Sequence, residues 1–264
     1  MRVIAIANQK GGTGKTTTAV NLSAGLALRG QRVLLIDADP QAHTTRHLGV
    51  EHPVVSLEDV MDGRVPLPEA TYETDVPELY LIASSVSLSH YEARLVTEVG
   101  RETLLRNALA SLGADAPVDF VLIDCPPSLD ILTVNALAAA DEVFIVSQSE
   151  FLSLDGVRQL CETIELVRKR LNPELEVGGV LLTMHSQRTL LSREVESFLE
   201  KAFPDKLFRT KIRRNVRLAE APSHGVPIQL YAPNSPGAWD YNDLAEEVLE
   251  RCRLSASASS LPTR

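Results

Sequence analysis

Cysteine is scarce in this chain: Cys125, Cys161 and Cys252 are the only three in 264 residues. Their wide spacing excludes a disulfide framework and a paired-cysteine iron–sulfur site, and it fits a reducing cytoplasm. No run of 18 apolar residues occurs, so no membrane-spanning helix is expected. An apolar run starts at residue 3, so no signal peptide is expected. No G-x-S-x-G elbow is present, so Ser128, Asp130 and a histidine do not make a hydrolase triad. The net charge of −9 argues against a uniformly basic nucleic-acid binder. No internal repeat appears.

Hydrophobic residues make up 44% of the chain, enough to bury a sizeable core. Short β-type runs at 3–7, 33–36, 79–83, 120–123, 143–146 and 177–182 alternate with helix-like stretches at 16–29, 89–111, 153–171, 191–203 and 236–253. Strands apolar on both faces, alternating with helices, predict an α/β fold: a mostly parallel, doubly wound sheet covered on both sides. Gly30 is placed to stop the first helix. The segment 53–77, rich in proline and acids, reads as an irregular excursion. Residues 1–254 read as one domain and the Ser/Ala-rich 255–264 as a flexible tail.

Lys10, Gly11, Gly12, Thr13, Gly14, Lys15, Thr16 and Thr17 follow the first β run directly and lead into a helix. Glycines let backbone N–H groups turn inward around anionic oxygens, and a helix N-terminus adds partial positive charge there. Lys15 reaches β/γ-phosphates and the Thr16 hydroxyl sits on Mg²⁺ in such a P-loop NTPase. Gln9 stands where the ordinary pattern has its first glycine, and Lys10 is a second lysine. Two further strands end in carboxylates: 33–36 runs into Asp37 and Asp39, followed by Pro40, and 120–123 runs into Asp124. The second matches a Walker B strand, whose Asp holds Mg²⁺. His43 and His47 have metal-compatible spacing but lack a third ligand, so they read as solvated side chains. Cys125 reads as a packed thiol, and Trp239 and Tyr241 as anchors of the last helix.

The set K-G-G-T-G-K-T-T, D-A-D-P-Q and I-D-C-P-P-S, with R-N-V-R-L-A-E-A-P-S-H-G at 214–225, resembles the deviant-Walker ATPases of the ParA/Soj partition group, which are related to MinD. The likeness runs from residue 1 to about 251. It implies an ATP hydrolase dependent on Mg²⁺, in which Lys10 crosses an ATP-sandwich homodimer to the partner's phosphates and Gly11 stays small at the close approach. It implies that Asp39 orients the attacking water and acts with Thr16 and Asp124 at the metal. Asp37 is either a supporting group or only the end of its strand. Pro222 is the candidate for packing near the adenine, with Asn215 behind it. Ala42-His43 replaces the group's usual Gly-Asn, and His185-Ser186 replaces its usual acid.

Residues 206–217 hold six basic residues and no acid, and 187–217 hold nine basic against four acidic. Such asymmetry suggests a polyanion contact, and without zinc spacing or interleaved aromatics it suggests phosphate contact rather than sequence readout. The resemblance implies nonspecific DNA binding by Arg188 and Arg217; Arg193, Lys211, Arg213 and Arg214 are supporting candidates. The opposing readings are a solvated charged face, or Arg214 and Arg217 paired with Glu220 and other acids. The implied function is chromosome or plasmid partition in the cytoplasm, on the nucleoid, with release by a ParB-like activator. The alternatives are positioning of a protein cargo, a MinD-like membrane switch, which the Ser/Ala-rich tail does not support, and a biosynthetic P-loop enzyme. With the P-loop at residue 10, no N-terminal operator-reading domain is expected.

Overall fold

The computed structural model describes residues 1–113, 117–150, 153–186 and 188–259. The elements run β1 (Arg2–Ala7), α1 (Lys15–Ala27), β2 (Val33–Asp37), α2 (His43–His47), α3 (Leu57–Met61), β3 (Thr71–Glu73), β4 (Leu79–Ile82), α4 (Ser87–Leu95) and α5 (Leu104–Ala110). They continue as β5 (Phe120–Asp124), α6 (Ile131–Ala139), β6 (Glu142–Gln148), α7 (Ser153–Arg170), β7 (Glu176–Thr183), α8 (Leu190–Ala202), α9 (Val216–Glu220), α10 (Ile228–Tyr231) and α11 (Pro236–Ser259). One seven-stranded sheet has the order β3-β4-β2-β5-β1-β6-β7. Every pairing is parallel except β3 with β4.

Alternation along β1 explains the two cores. Val3, Ala5 and Ala7 face one side, with residues of α4–α8, while Ile4 and Ile6 face the other, with α1 and α11. The chain fills the sheet to one side of β1 through β2–β5, then crosses to β6 and β7 on the other. Ligands of such sheets sit at that reversal, outside the carboxyl ends of the strands. The P-loop, Asp39, Ser149 and His185 follow strands at that edge, and Asp124 is the last residue of β5.

Three expectations needed correction. The excursion at 53–77 contains α3 and the edge strand β3, three residues too short to show a period. The helix expected over 89–111 is broken: α4 ends at Leu95 and Gly100 takes φ 77°, left-handed backbone that favours glycine. The last helix continues through Ser259, into the stretch expected to be a flexible tail, because alanine and serine are compatible with a helix and Pro262 is the first breaker. The rest of that tail, 260–264, lies outside the described residues. Gly30, at φ 79°, follows α1 as expected.

Candidate nucleotide site and cationic face

The P-loop is held open by its glycines and by contacts from two neighbouring strands. Gly12 (φ 73°) and Gly14 (φ 93°) take left-handed backbone, and Gly14 immediately precedes α1. A Cβ on Gly11 would meet nothing within 4 Å, so no steric demand of this chain accounts for that glycine. The Gln148 side-chain amide donates to the Gly12 carbonyl (2.6 Å) and the Thr183 hydroxyl to the Thr13 carbonyl (2.6 Å). The Thr13 hydroxyl reaches the Lys10 carbonyl at 3.4 Å, and the Thr17 carbonyl accepts from Asn21 at 2.7 Å. Lys10 pairs with Glu150 at 3.2 Å, on the loop after β6. Lys15 is buried with its ammonium 3.5 Å from the Lys10 carbonyl. Burial pulls its pKa below the ordinary lysine value, while Asp124, Cys125 and Asp39 pull it back.

The carboxylates converge at the ends of β2 and β5, where Asp37 and Asp124 are register partners, both fully buried. Asp124 Oδ2 accepts from the hydroxyls of Thr16 (2.8 Å) and Thr44 (2.7 Å), whereas its buried Oδ1 has no partner among the described residues. Burial drives the Asp124 pKa up, against the two hydroxyls and Lys15. Burial and the neighbouring Asp124 drive Asp37 up as well, opposed by Thr45. Asp37 is more than a strand end: it accepts from Thr45 N (2.8 Å), Thr45 Oγ1 (2.6 Å) and Asp39 N (3.2 Å). Asp39 is nearly buried, and its Oδ1 accepts from Gln41 N at 2.9 Å. An orphaned carboxylate oxygen beside a threonine hydroxyl and a lysine is a hard-oxygen setting that fits Mg²⁺.

A cavity of about 530 Å³ opens beside Gly14 and Thr17, walled by Met184, Asn215, Leu218 and Tyr241. Pro222 is exposed and does not line it; Asn215 does, with its side chain capping α9 through Arg217 N. A second, larger cavity of about 1150 Å³ runs from Glu150 past His185 to Arg188, Lys211, Arg213 and Arg214.

Five of the six cations in 206–217 are paired within the chain: Lys206 with Glu176, Arg209 with Glu247 and Glu250, Lys211 with Glu196, Arg213 with Asp240, and Arg217 with Glu220. Arg213 is held on both oxygens of the buried Asp240. Arg188, Arg193 and Arg214 have no side-chain partner among the described residues. The paired-face reading therefore holds for Arg217 and fails for Arg214.

Other expectations also meet the structure here. His47 is buried rather than solvated, and no metal-holding group of three His, Cys, Asp or Glu occurs among the described residues. Cys125 is a buried thiol whose pKa burial pushes up. Tyr241 anchors α11 through Thr18 (3.1 Å), but Trp239 is half exposed and anchors nothing comparable. Sequence reasoning passed over Thr44, Thr45, Gln148 and Glu150. The threonine pair, directly after the D-x-D-P turn, was the available signal.

A family profile described as "AAA domain" matches residues 1–177. Over 255 residues the chain is 48% identical to the chromosome partitioning protein ParA of Caulobacter vibrioides, covering 96% of each. It is 47% identical over 249 residues to the sporulation initiation inhibitor protein Soj of Bacillus subtilis, covering 94% of this chain and 98% of that one. The chain belongs to the ParA/Soj family of P-loop ATPases. The cobyrinic acid a,c-diamide synthase structure of Mycobacterium smegmatis with bound ADP and magnesium superposes with a TM-score of 0.83 at 36% identity, covering 100% of this chain and 99% of that one. This ParA/Soj-family site carries the parts of an ATP hydrolase: a P-loop, a buried lysine, and carboxylates set for Mg²⁺. No helix among the described residues is long and apolar enough to cross a membrane.

Proposed function

We propose that this protein is a partition ATPase whose ATP-bound homodimer holds nonspecific double-stranded DNA and is released when a ParB-like activator stimulates hydrolysis. The observation that carries the reading is the larger cavity, which joins Glu150, the partner of Lys10, to the unpaired Arg188 and Arg214. A lysine held at an exposed carboxylate, beside a glycine with open space, leaves that loop surface available to a second copy and its nucleotide. Guanidiniums on the same wall then give phosphate contact a direct link to dimerisation. The ParA and Soj relatives, 44–48% identical, favour partition over the biosynthetic activity named for the M. smegmatis neighbour.

Within the ATPase, Gly12, Thr13, Gly14, Lys15, Thr16 and Thr17 cradle the phosphates, and Lys10 supplies charge from the partner. Thr16, Asp39 and Asp124 would hold Mg²⁺, which would neutralise phosphate charge. Asp39 orients the attacking water from a turn fixed by Asp37 and Gln41. The base occupies the cavity beside Gly14, where Asn215 replaces Pro222 as the contact. The cytoplasmic nucleoid would be the working location. Binding to duplex DNA of arbitrary sequence at fixed low salt, with ATP, with ADP and without nucleotide, tests the reading. Binding only with ATP supports it, and absence of binding in every state overturns the DNA component.

A further inference from the structure

We propose that Thr44 is a positioning residue of the ATPase, tying the turn that carries Asp39 to the carboxylate that holds Mg²⁺. Thr44 is fully buried, and its hydroxyl donates to the same Asp124 oxygen that Thr16 reaches. Thr45 makes the parallel attachment one strand away, through its N–H and hydroxyl to Asp37. Two consecutive threonines thus fasten the start of α2 to the ends of β5 and β2. The turn is closed from its other side by Ser84, which donates its hydroxyl to the Asp39 carbonyl (2.7 Å) and its N–H to Thr45 Oγ1 (2.8 Å).

The turn needs this fastening. Ala42, at φ 53° and ψ 38°, occupies left-handed backbone that a residue with a Cβ adopts at a cost, and such backbone persists where its surroundings over-determine it. Thr44 is the member that senses the metal carboxylate. It fixes Asp124 Oδ2 while Oδ1 is left without a protein partner. A change at Asp124 is therefore transmitted through one hydrogen bond to the segment that places Asp39.

Thr44→Val removes the hydroxyl at nearly constant volume, and Thr44→Ser retains it. In the metal-free protein, tryptic cleavage after the exposed Arg46 reports opening of the turn. Thr44→Val is expected to speed that cleavage about tenfold, the scale of a lost hydrogen bond to a charged group. It is expected to lower kcat by about tenfold while leaving KM for MgATP within about twofold, because the nucleotide cradle is untouched. Thr44→Ser should restore both. If valine does not fold, Thr44→Ala carries the same expectation. Wild-type cleavage and kcat in the hydroxyl-free variant, equal shifts in kcat and KM, or no rescue by serine would each overturn the proposal.

Discussion

Removing Arg188 and Arg214 together should flatten the salt dependence of DNA binding far more than removing any pair of their basic neighbours. On the proposed function, the 187–217 stretch of a dimer would display six guanidiniums with no side-chain partner among the described residues, from Arg188, Arg193 and Arg214 on each protomer. If each takes one phosphate, log K falls with log salt at a slope of about −5, and affinity drops roughly 10³-fold between 50 and 200 mM salt. The double alanine variant leaves one per protomer, a slope near about −2 and a loss of only about tenfold over that range. Lys206, Arg209 and Arg217 must first leave a carboxylate, although an exposed pair is worth only about 0–1 kcal/mol. Arg213 is pinned to the buried Asp240 and is the least available of the set. Fluorescence anisotropy on an arbitrary duplex, with a non-hydrolysable ATP analogue and a salt titration, measures the slope. A double variant with the wild-type slope, or a Lys206/Arg209/Arg217 variant that loses it instead, would refute the assignment.

Asp39→Ala should keep ATP-dependent dimers by size-exclusion chromatography and lower phosphate release by at least ~10²-fold; wild-type turnover would remove Asp39 from the chemistry. Gly179→Ala should cost about 1–3 kcal/mol and lower the melting temperature by several degrees, because its Cβ would lie 2.2 Å from the Phe208 ring; an unchanged melt would mean the ring gives way freely. His47 is held neutral by burial, its pKa down from 6.5 to about 4, against a backbone hydrogen bond with Val226. Its depressed pKa contributes stability that is complete above pH 6.5 and is lost as pH falls toward 4, about 2 kcal/mol between pH 7 and 5. Asp37 and Asp124 push the opposite way, so the diagnostic quantity is the difference between wild type and His47→Gln in denaturant titrations at pH 7 and 5; identical pH slopes would refute it.

The parts legible in the sequence were those written contiguously. The P-loop, the two carboxylate-ending strands and the alternation of buried strands with helices depend on neighbours within ten or so residues, and each was found where it was read. Signals that failed depend on distant partners. The sign of the 206–217 run was correct, yet its distant acids, Glu176, Glu196, Asp240, Glu247 and Glu250, arrive from β7, α8 and α11. The spacing of His43 and His47 did not reveal that only His47 is buried, because α2 is packed by the turn at 221–224 from far along the chain. Pro222, chosen for its place in a motif, is exposed, and Asn215 of the same motif lines the cavity beside Gly14.

The buried charges explain why the nucleotide site and the Asp39 turn occupy one place. Asp37, Asp124 and Lys15 lie in the interior, where burial raises the carboxyl pKa values and lowers that of the ammonium. A fold selected for stability alone would favour apolar residues at these strand ends, since buried ion pairs often stabilise less than packed hydrophobics. Here three hydroxyls and two backbone N–H groups are aimed at the two carboxylates, and one Asp124 oxygen is still left without a donor. Polyphosphate and Mg²⁺ supply the missing counter-charges, so binding relieves an imbalance already built into the folded chain. The relief is delivered at residues whose hydrogen bonds hold the Asp39 turn, and through Gln148 and Glu150 it borders the loop of Lys10. On the proposed function, occupancy of the site would place the Asp39 turn and Lys10 together.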